Sequence, residues 1–310
     1  MKEITDIFNF TAEKGSVITI GTFDGVHLGH RKIIKKLVET AKNQDLLATI
    51  FTFFPHPRMV VHQDSELKLI HTLDEKKHVL KSLGINQLVV CPFNDSFSKM
   101  SAETFVEDLL VKRLKAKKVI IGYDHRFGRN RTADISDMRK FGEKYGFEVE
   151  EIPAQEVNEV SVSSTKIRKA ISEGDIKTAW EYLGVPFCIS GKVIHGLKIG
   201  RTISYPTANI QVKESYKLIP KDGIYLVYSF FNGKKTYGMM SIGKNPTIEG
   251  KGATIEVHYF DFDEDIYGND VTIYFLERLR NEQKFESVEK LKEQLQIDEA
   301  TSRKLIKQIG

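Results

Sequence analysis

Between Ser16 and Ile152 short apolar runs alternate with stretches in which apolar residues recur every three or four positions. The runs Val17–Ile20, Leu47–Phe53, Leu88–Cys91, Lys118–Ile121 and Phe147–Ile152 predict strands. Between them the spacing predicts helices over Lys32–Lys42, Glu75–Leu83, Ala102–Leu114 behind a Ser101 cap, and Ile135–Tyr145. In the first of these, Ile33, Ile34, Leu37, Val38 and Ala41 form one stripe. Strands and helices in alternation imply an α/β domain of Rossmann-like type, a parallel sheet with covering helices.

The texture changes further along the chain. A short helical segment follows Ser163 and runs through Ala170, and a second spans Ile176 to Leu183 until Gly184-Val185-Pro186 breaks it. This stretch reads as a linker and places a domain boundary between 184 and 185, giving domains 1–184 and 185–310. Beyond it the strand candidates are Cys188–His195, Ala208–Val212, Ile224–Phe231, Tyr237–Ile242, Thr254–Phe260 and Val271–Leu276, with an Asn232-Gly233 turn after the third. Six strands without a long intervening helix predict a small antiparallel barrel. Ser287–Ile309 returns to helical spacing, with Val288, Leu291 and Leu295 on one face and Asp298 placed to cap a last helix.

Composition adds limits. At 310 residues the chain is long enough for two ordinary domains, and 41% hydrophobic with 28% charged residues is globular rather than disordered or fibrous. The longest mostly apolar stretch, Leu46 to Phe54, is far short of the roughly 20 residues that cross a bilayer, and no leader is apparent, so a cytoplasmic protein without a membrane partner is expected. Cys91 and Cys188 lack metal-type spacing. A net charge of +4 suits an anionic small molecule, and no aromatic and basic strip indicates nucleic acid. A monomer or weak homo-oligomer is expected.

Two constellations carry chemistry. The first, Gly21-Thr22-Phe23-Asp24-Gly25-Val26-His27-Leu28-Gly29-His30, joins the end of a strand to the start of a helix. Such a junction collects free backbone N–H groups at the positive end of the helix dipole, which favours phosphate. His27 and His30 add two imidazole donors, and Gly29 permits close approach of a nucleotide. Donors fixed on a phosphate chain stabilise charge that develops in nucleotidyl transfer. His27 and His30 are therefore catalytic candidates, with Gly21, Phe23, Asp24 and Gly29 as nucleotide contacts.

This arrangement resembles the nucleotidyltransferase superfamily that shares a His-x-Gly-His signature with class I aminoacyl-tRNA synthetases. Three further stretches, Thr52-Phe53-Phe54-Pro55-His56-Pro57, Gly122-Tyr123-Asp124-His125-Arg126-Phe127-Gly128-Arg129 and Val162-Ser163-Ser164-Thr165-Lys166-Ile167-Arg168, fall at strand ends or helix starts. In order and spacing they are similar to the N-terminal module of prokaryotic bifunctional riboflavin kinase/FAD synthetases. That resemblance implies that Ser164, Thr165 and Arg168 hold the triphosphate, that Asp124 approaches the flavin or its phosphate, and that Pro55 and His56 shape the flavin site. Thr22, Phe54 and His125 depart from the residues common in that family, as does Ser204 further on.

The second constellation runs from Gly196 to Asn209 and is glycine-rich and basic before it enters a strand. Thr207 and Asn209, two apart, share a face of an extended chain, and their oxygens suit a hard cation such as Mg²⁺ on nucleotide phosphates. Gly196, Lys198, Gly200 and Arg201 belong to the loop that would wrap those phosphates. Within Thr254–Phe260 the alternation puts Glu256 opposite the core stripe, where it can accept a hydroxyl proton. Pro-Thr-Ala-Asn at 206–209 resembles riboflavin kinases, and the likeness extends through Asn245, Glu256 and Arg278 to Ser287. It implies Glu256 as base for the ribityl hydroxyl, Thr207 and Asn209 as Mg²⁺ ligands, and Asn245 and Arg278 as ligand contacts.

Together the resemblances imply a bifunctional enzyme that phosphorylates riboflavin with ATP and then transfers AMP from ATP to FMN, giving FAD and pyrophosphate. Two other readings remain compatible with the residues: a nucleotidyltransferase for another phosphorylated acceptor with the barrel as accessory, and a non-catalytic flavin-binding sensor.

Overall fold

The computed structural model describes residues 1–61, 66–122, 125–153, 162–196, 200, 203–243 and 254–309. The chain divides into two compact units, Met1–Ser164 and Thr165–Gly310.

The first unit is built on a six-stranded parallel sheet. Its strands are β1 (Lys2–Ile4), β2 (Ser16–Ile20), β3 (Leu47–Phe54), β4 (Gln87–Pro92), β5 (Ala116–Gly122) and β6 (Glu148–Ile152), in the order β1-β4-β3-β2-β5-β6. All five residues of β2 are buried, as expected of a central parallel strand covered on both faces. One face packs on α1 (Leu28–Asn43), which buries Ile33, Ile34, Leu37 and Ala41 in a cluster with Val17, Ala48 and Ile50. The other face gathers Ile18, Phe51, Val89 and Val119 with Phe105, Val106 and Leu109. β1 has no counterpart among the predicted strands, because three residues are too few to show a period; it pairs with β4 at the sheet edge. Since β2 lies between β3 and β5, the chain progresses in opposite directions on its two sides, and the carboxyl end of β2 marks the crevice where such sheets take ligands.

The four predicted helices are present, two short ones are added to them, and one changes its type. Short α2 (Pro57–Val61) leads to α3 (Leu73–Ser82), whose Thr72 and Glu75 form a reciprocal capping box, and α4 (Asp95–Ser98) follows β4. The Ser101 cap is present, but α5 (Ala102–Thr104) widens at once into a π-helix over Phe105–Arg113. Leu114 N–H donates to Leu109 carbonyl, five residues back, at 3.0 Å. Phe105, Leu109 or Leu110, and Leu114 are spaced four to five apart, so a turn one residue wider than α keeps them all on the core. α6 (Ile135–Tyr145) ends at Gly146 in the left-handed conformation.

The second unit begins with α7 (Ser164–Glu173), whose first residue closes the first unit, and α8 (Ile176–Leu183). It continues as a closed six-stranded barrel of β7 (Cys188–Ile194), β8 (Ala208–Gln211), β9 (Gly223–Phe231), β10 (Lys234–Gly243), β11 (Thr254–Tyr259) and β12 (Asp270–Arg280), ordered β10-β11-β8-β7-β12-β9. Every described pairing is antiparallel. α9 (Val288–Ile309) is one helix of 22 residues, and its Leu291, Leu295, Leu305 and Ile306 pack against Ile203, Tyr205, Leu226 and Phe260. Val288 is exposed and does not join that stripe.

Asp298 is not a cap. It lies in the middle of α9, 3% exposed, and takes both oxygens of its carboxylate to Arg280, with three nitrogen–oxygen distances of 2.7 to 3.0 Å. An acidic residue suits a helix start or a buried cation equally well in sequence; the facing arginine of β12 decides between them. Both cysteines are free and buried. Among the described residues no helix is long and apolar enough to cross a membrane.

Candidate active sites

β2 ends at Ile20, and Gly21 N–H still pairs with Phe51 carbonyl at 3.0 Å before the chain turns away. His27 is the N-cap of α1, its Nδ1 accepting from His30 N–H at 3.4 Å. The two imidazoles stack with centroids 3.6 Å apart and planes 18° apart. Burial pushes His27 down to about 4, against the pull of Asp24. Burial also holds His30 well below the usual range, and the nearby charges of His27, Lys76 and His71 act in the same direction. Both rings are neutral at pH 7 and can each donate one N–H. His30 Nδ1 is sealed from solvent and has no hydrogen-bond partner among the described residues.

Around this pair the predicted contacts divide. The Phe23 side chain is 2% exposed and sits against His30 at 5.0 Å between ring centroids. The Asp24 carboxylate, 1% exposed, accepts from Ile70 N–H at 2.9 Å and His71 N–H at 3.3 Å. Both side chains are therefore turned into the protein, where they shape the turn. Gly29 is buried in the first turn of α1. Ser164 Oγ donates to Asp24 carbonyl at 2.9 Å, which brings the start of α7 to the same turn. Thr165 is exposed and Arg168 half-buried on that helix. After β3 come a cis Phe54-Pro55 bond, an exposed Pro55 and a buried His56, whose Nδ1 accepts from Arg58 N–H at 3.2 Å. Asp124 lies outside the described residues.

Two residues of this site escape the motif. His71 precedes α3, and Lys76 within α3 is 4% exposed and donates from Nζ to Thr22 carbonyl at 2.8 Å. Burial lowers Lys76 to about 8, while Asp24 pulls it up. The sequence carried a signal for Lys76: with Leu73 and Leu80 it falls at helical positions i, i+3 and i+7, a charge on an apolar stripe.

In the barrel, β8 and β11 pair so that Asn209 stands opposite Glu256 and Ala208 opposite Val257. Thr207 Oγ1 donates to Glu256 Oε2 at 2.9 Å. Thr207, Asn209 and Glu256 are all half-buried, so a carboxylate, a hydroxyl and an amide share one accessible patch. Ile255, Val257 and Tyr259 are buried on the opposite face of β11. A side chain on Gly196 would run into the Asn209 amide, and one on Gly200 into Tyr205 carbonyl. His258 Nδ1 donates to Pro206 carbonyl at 2.8 Å, tying β11 to the residue before Thr207. Lys198, Arg201 and Asn245 lie outside the described residues.

Arg278 is engaged elsewhere. Its guanidinium donates to Asp222 carbonyl at 2.7 Å, Asn281 Oδ1 at 2.9 Å and Tyr225 hydroxyl at 3.3 Å. It is also flanked by Gly174 and Gly223, where a Cβ would come within 2.6 and 2.8 Å of it. Arg280 is committed to Asp298.

Comparison with known proteins follows the same division. The FAD synthetase family model matches residues 9–166, and the riboflavin kinase model matches residues 183–306. Over 303 residues the chain is 39% identical to a bifunctional riboflavin kinase/FMN adenylyltransferase of Buchnera aphidicola subsp. Schizaphis graminum, covering 96% of each. Over 306 residues it is 36% identical to a protein of the same description from Escherichia coli K12, covering 98% of this chain and 97% of that one. A solved structure described as a macrolide-efflux protein from Streptococcus pneumoniae superposes with a TM-score of 0.87 at 34% identity, covering 97% of this chain and 98% of that one. With both family models matched in order and the relatives aligned over nearly its whole length, the chain belongs to the bifunctional riboflavin kinase/FMN adenylyltransferase family.

Proposed function

We propose how the two activities of this enzyme, phosphorylation of riboflavin and adenylylation of FMN, are divided along the chain. The barrel converts riboflavin and ATP to FMN and ADP at Thr207, Asn209 and Glu256. The first unit converts FMN and a second ATP to FAD and pyrophosphate at the turn bearing His27 and His30. The two family models leave 167–182 between them, which supports a functional division in that stretch, just ahead of a boundary at 184/185. The pneumococcal relative's description names transport, but an oxygen cluster on one barrel face and a paired-histidine turn at a sheet's switch point favour group transfer.

In the kinase step Glu256 accepts the proton of the ribityl 5′-hydroxyl as that oxygen attacks the γ-phosphorus and ADP leaves. The hydrogen bond from Thr207 orients the carboxylate and leaves the threonine oxygen's lone pairs outward. One hydroxyl and one amide oxygen beside a carboxylate are a donor set for a hard cation, and Gly196 leaves the Asn209 amide clear. Thr207 and Asn209 would hold Mg²⁺, which when bound neutralises phosphate charge. The Gly196–Arg201 loop wraps the nucleotide phosphates.

In the adenylyl step an FMN phosphate oxygen attacks the α-phosphorus of ATP and pyrophosphate leaves, with no covalent enzyme intermediate. The neutral rings of His27 and His30 donate hydrogen bonds to phosphate oxygens as charge builds, and burial strengthens those bonds. Gly21 and Gly29 bring the backbone close to the nucleotide. Ser164, Thr165 and Arg168 form the phosphate clamp, and Asp124, Pro55 and His56 border the flavin. Reliance on ATP, riboflavin and FMN supports a cytoplasmic enzyme.

The observation that carries the kinase assignment is the convergence of Thr207, Asn209 and Glu256 through strand register and one hydrogen bond. Its test is incubation with riboflavin, ATP and Mg²⁺, separating the flavins over time, with a parallel reaction begun from FMN. FMN should rise and then give way to FAD. FMN that accumulates without FAD, even when supplied, would refute the adenylyl half, and inert riboflavin would refute the kinase half.

A further inference from the structure

The turn that carries the histidines is strained. Phe23 has φ +48°, Gly25 +83° and Val26 +42°. Glycine takes that region freely; a β-branched residue such as Val26 does so only at a steric cost, so the surroundings must impose the shape. They do so through polar clamps. Thr22 carbonyl accepts from Lys76 Nζ at 2.8 Å and from Thr52 Oγ1 at 3.2 Å. Asp24 carbonyl accepts from Ser164 Oγ at 2.9 Å, and Val26 carbonyl from Arg31 Nε at 3.1 Å. The Asp24 carboxylate is held by Ile70 and His71 N–H.

Of these clamps Lys76 is the one that packing alone does not explain. It is 4% exposed and stands at the fourth residue of α3, near the helix's positive end, where both burial and the dipole disfavour a cation. A core position between Leu73 and Leu80 that needed only volume is filled as well by Met. The charged and titratable groups that act on the ammonium are Asp24 on the turn, which attracts it, and His30 in α1, which it helps to keep neutral. A trans peptide points its N–H opposite to its carbonyl, so drawing Thr22 carbonyl onto Lys76 turns Phe23 N–H away from α3.

We propose that Lys76 is a positioning residue for adenylyl transfer: its ammonium, clamped on Thr22 carbonyl, holds the strained turn in the shape that presents His27 and His30 to the nucleotide. This rests on the reading that the histidine turn is the adenylyl-transfer site. Lys76 acts through the turn and touches no substrate.

The test compares full-length wild type, Lys76→Met and Lys76→Arg for FAD formation from FMN between pH 6.5 and 9.5, with riboflavin phosphorylation measured in each preparation. Lys76→Met should lower kcat at least about tenfold, with a smaller change in KM for ATP, and leave FMN formation unchanged. Wild type should lose kcat as pH rises past about 8, where the ammonium gives up its proton. Lys76→Arg should recover part of the rate and carry that alkaline limb upward, because guanidinium stays charged. Wild-type kcat in Lys76→Met, or an unmoved alkaline limb in Lys76→Arg, overturns the proposal; the second readout stands even if the Met variant does not fold. His30→Ala in parallel separates the two levels: full FAD formation there refutes the site itself, whereas a dead His30→Ala beside an unimpaired Lys76→Met refutes only the role of Lys76.

Discussion

At the end of β2 the paired histidines are packed into the protein: His27 is 6% exposed, its ring is stacked on His30, and the turn beneath is held by Lys76, Thr52 and Ser164. On the barrel, Thr207, Asn209 and Glu256 stand half-buried on the outer side of the strand alternation, joined by a single side-chain hydrogen bond and by register. On the proposed assignment both places serve attack of a flavin oxygen on a phosphorus of ATP. Their construction differs because their chemistry does. A phosphate oxygen needs no base, so the first site can consist of neutral donors, which burial strengthens. A ribityl hydroxyl must lose a proton, so the second needs a carboxylate to accept it, and that carboxylate stands where solvent and substrate can reach it.

The strongest way to break this comparison is to exchange the losses. His30→Ala should lower FAD formation from FMN by about 10²–10³-fold, the usual effect of removing one preorganised donor, and leave FMN formation intact. Glu256→Ala should do the reverse by about 10²-fold or more, with adenylylation of supplied FMN unchanged. Steady-state rates from riboflavin and from FMN check both, and a variant that lost both activities together would show that the sites are not separate.

Acid should distinguish the two units through stability. The unfolded chain protonates His27 below pH 6.5, whereas the folded chain resists until about 4. Folding stability is therefore intact above 6.5 and falls as pH drops from 6.5 towards 4, by on the order of 3 kcal/mol from His27. His30 acts in the same direction. Among the described residues no barrel histidine is buried, so the hydrogen-exchange protection factor, corrected for the intrinsic rate at each pH, should fall in Ser16–Ile20 over this range and change less in Gly223–Phe231. Equal loss of protection in both strands would contradict the assignment.

The smallest expected effect sharpens the barrel side. Gly196→Ala places a methyl group against the Asn209 amide and should lower kcat for FMN formation about tenfold, without changing FAD formation from FMN. A wild-type kinase rate in that variant would mean that Asn209 can move without loss.

Particular residues show where the sequence was legible. The central strands and α1 stood out because burial on a sheet or a helix leaves a period of two or about 3.6, and Glu256 was placed opposite its core stripe by that alternation alone. The edge strand β1 was too short to leave one. The turn of α5 into a π-helix depends on which of several adjacent apolar residues the core accepts. Asp298 was misassigned because one carboxylate chemistry serves both a helix cap and a buried ion pair, and only the position of Arg280 tells them apart.

By itself the sequence determined the order of elements, the α/β and barrel classes, and the local motifs His-Leu-Gly-His and Pro-Thr-Ala-Asn, since each of these is written in near neighbours along the chain. The tertiary structure alone decided that Asp24 and Phe23 turn inward, that Lys76 and Thr52 meet at one carbonyl, and that Asn209 faces Glu256. Those contacts join residues 30 to 54 positions apart, or strands brought together by closure of a barrel. Whether a charge is buried, and which partner offsets it, is set by what the fold brings near it in space, and that is not a property of neighbouring letters.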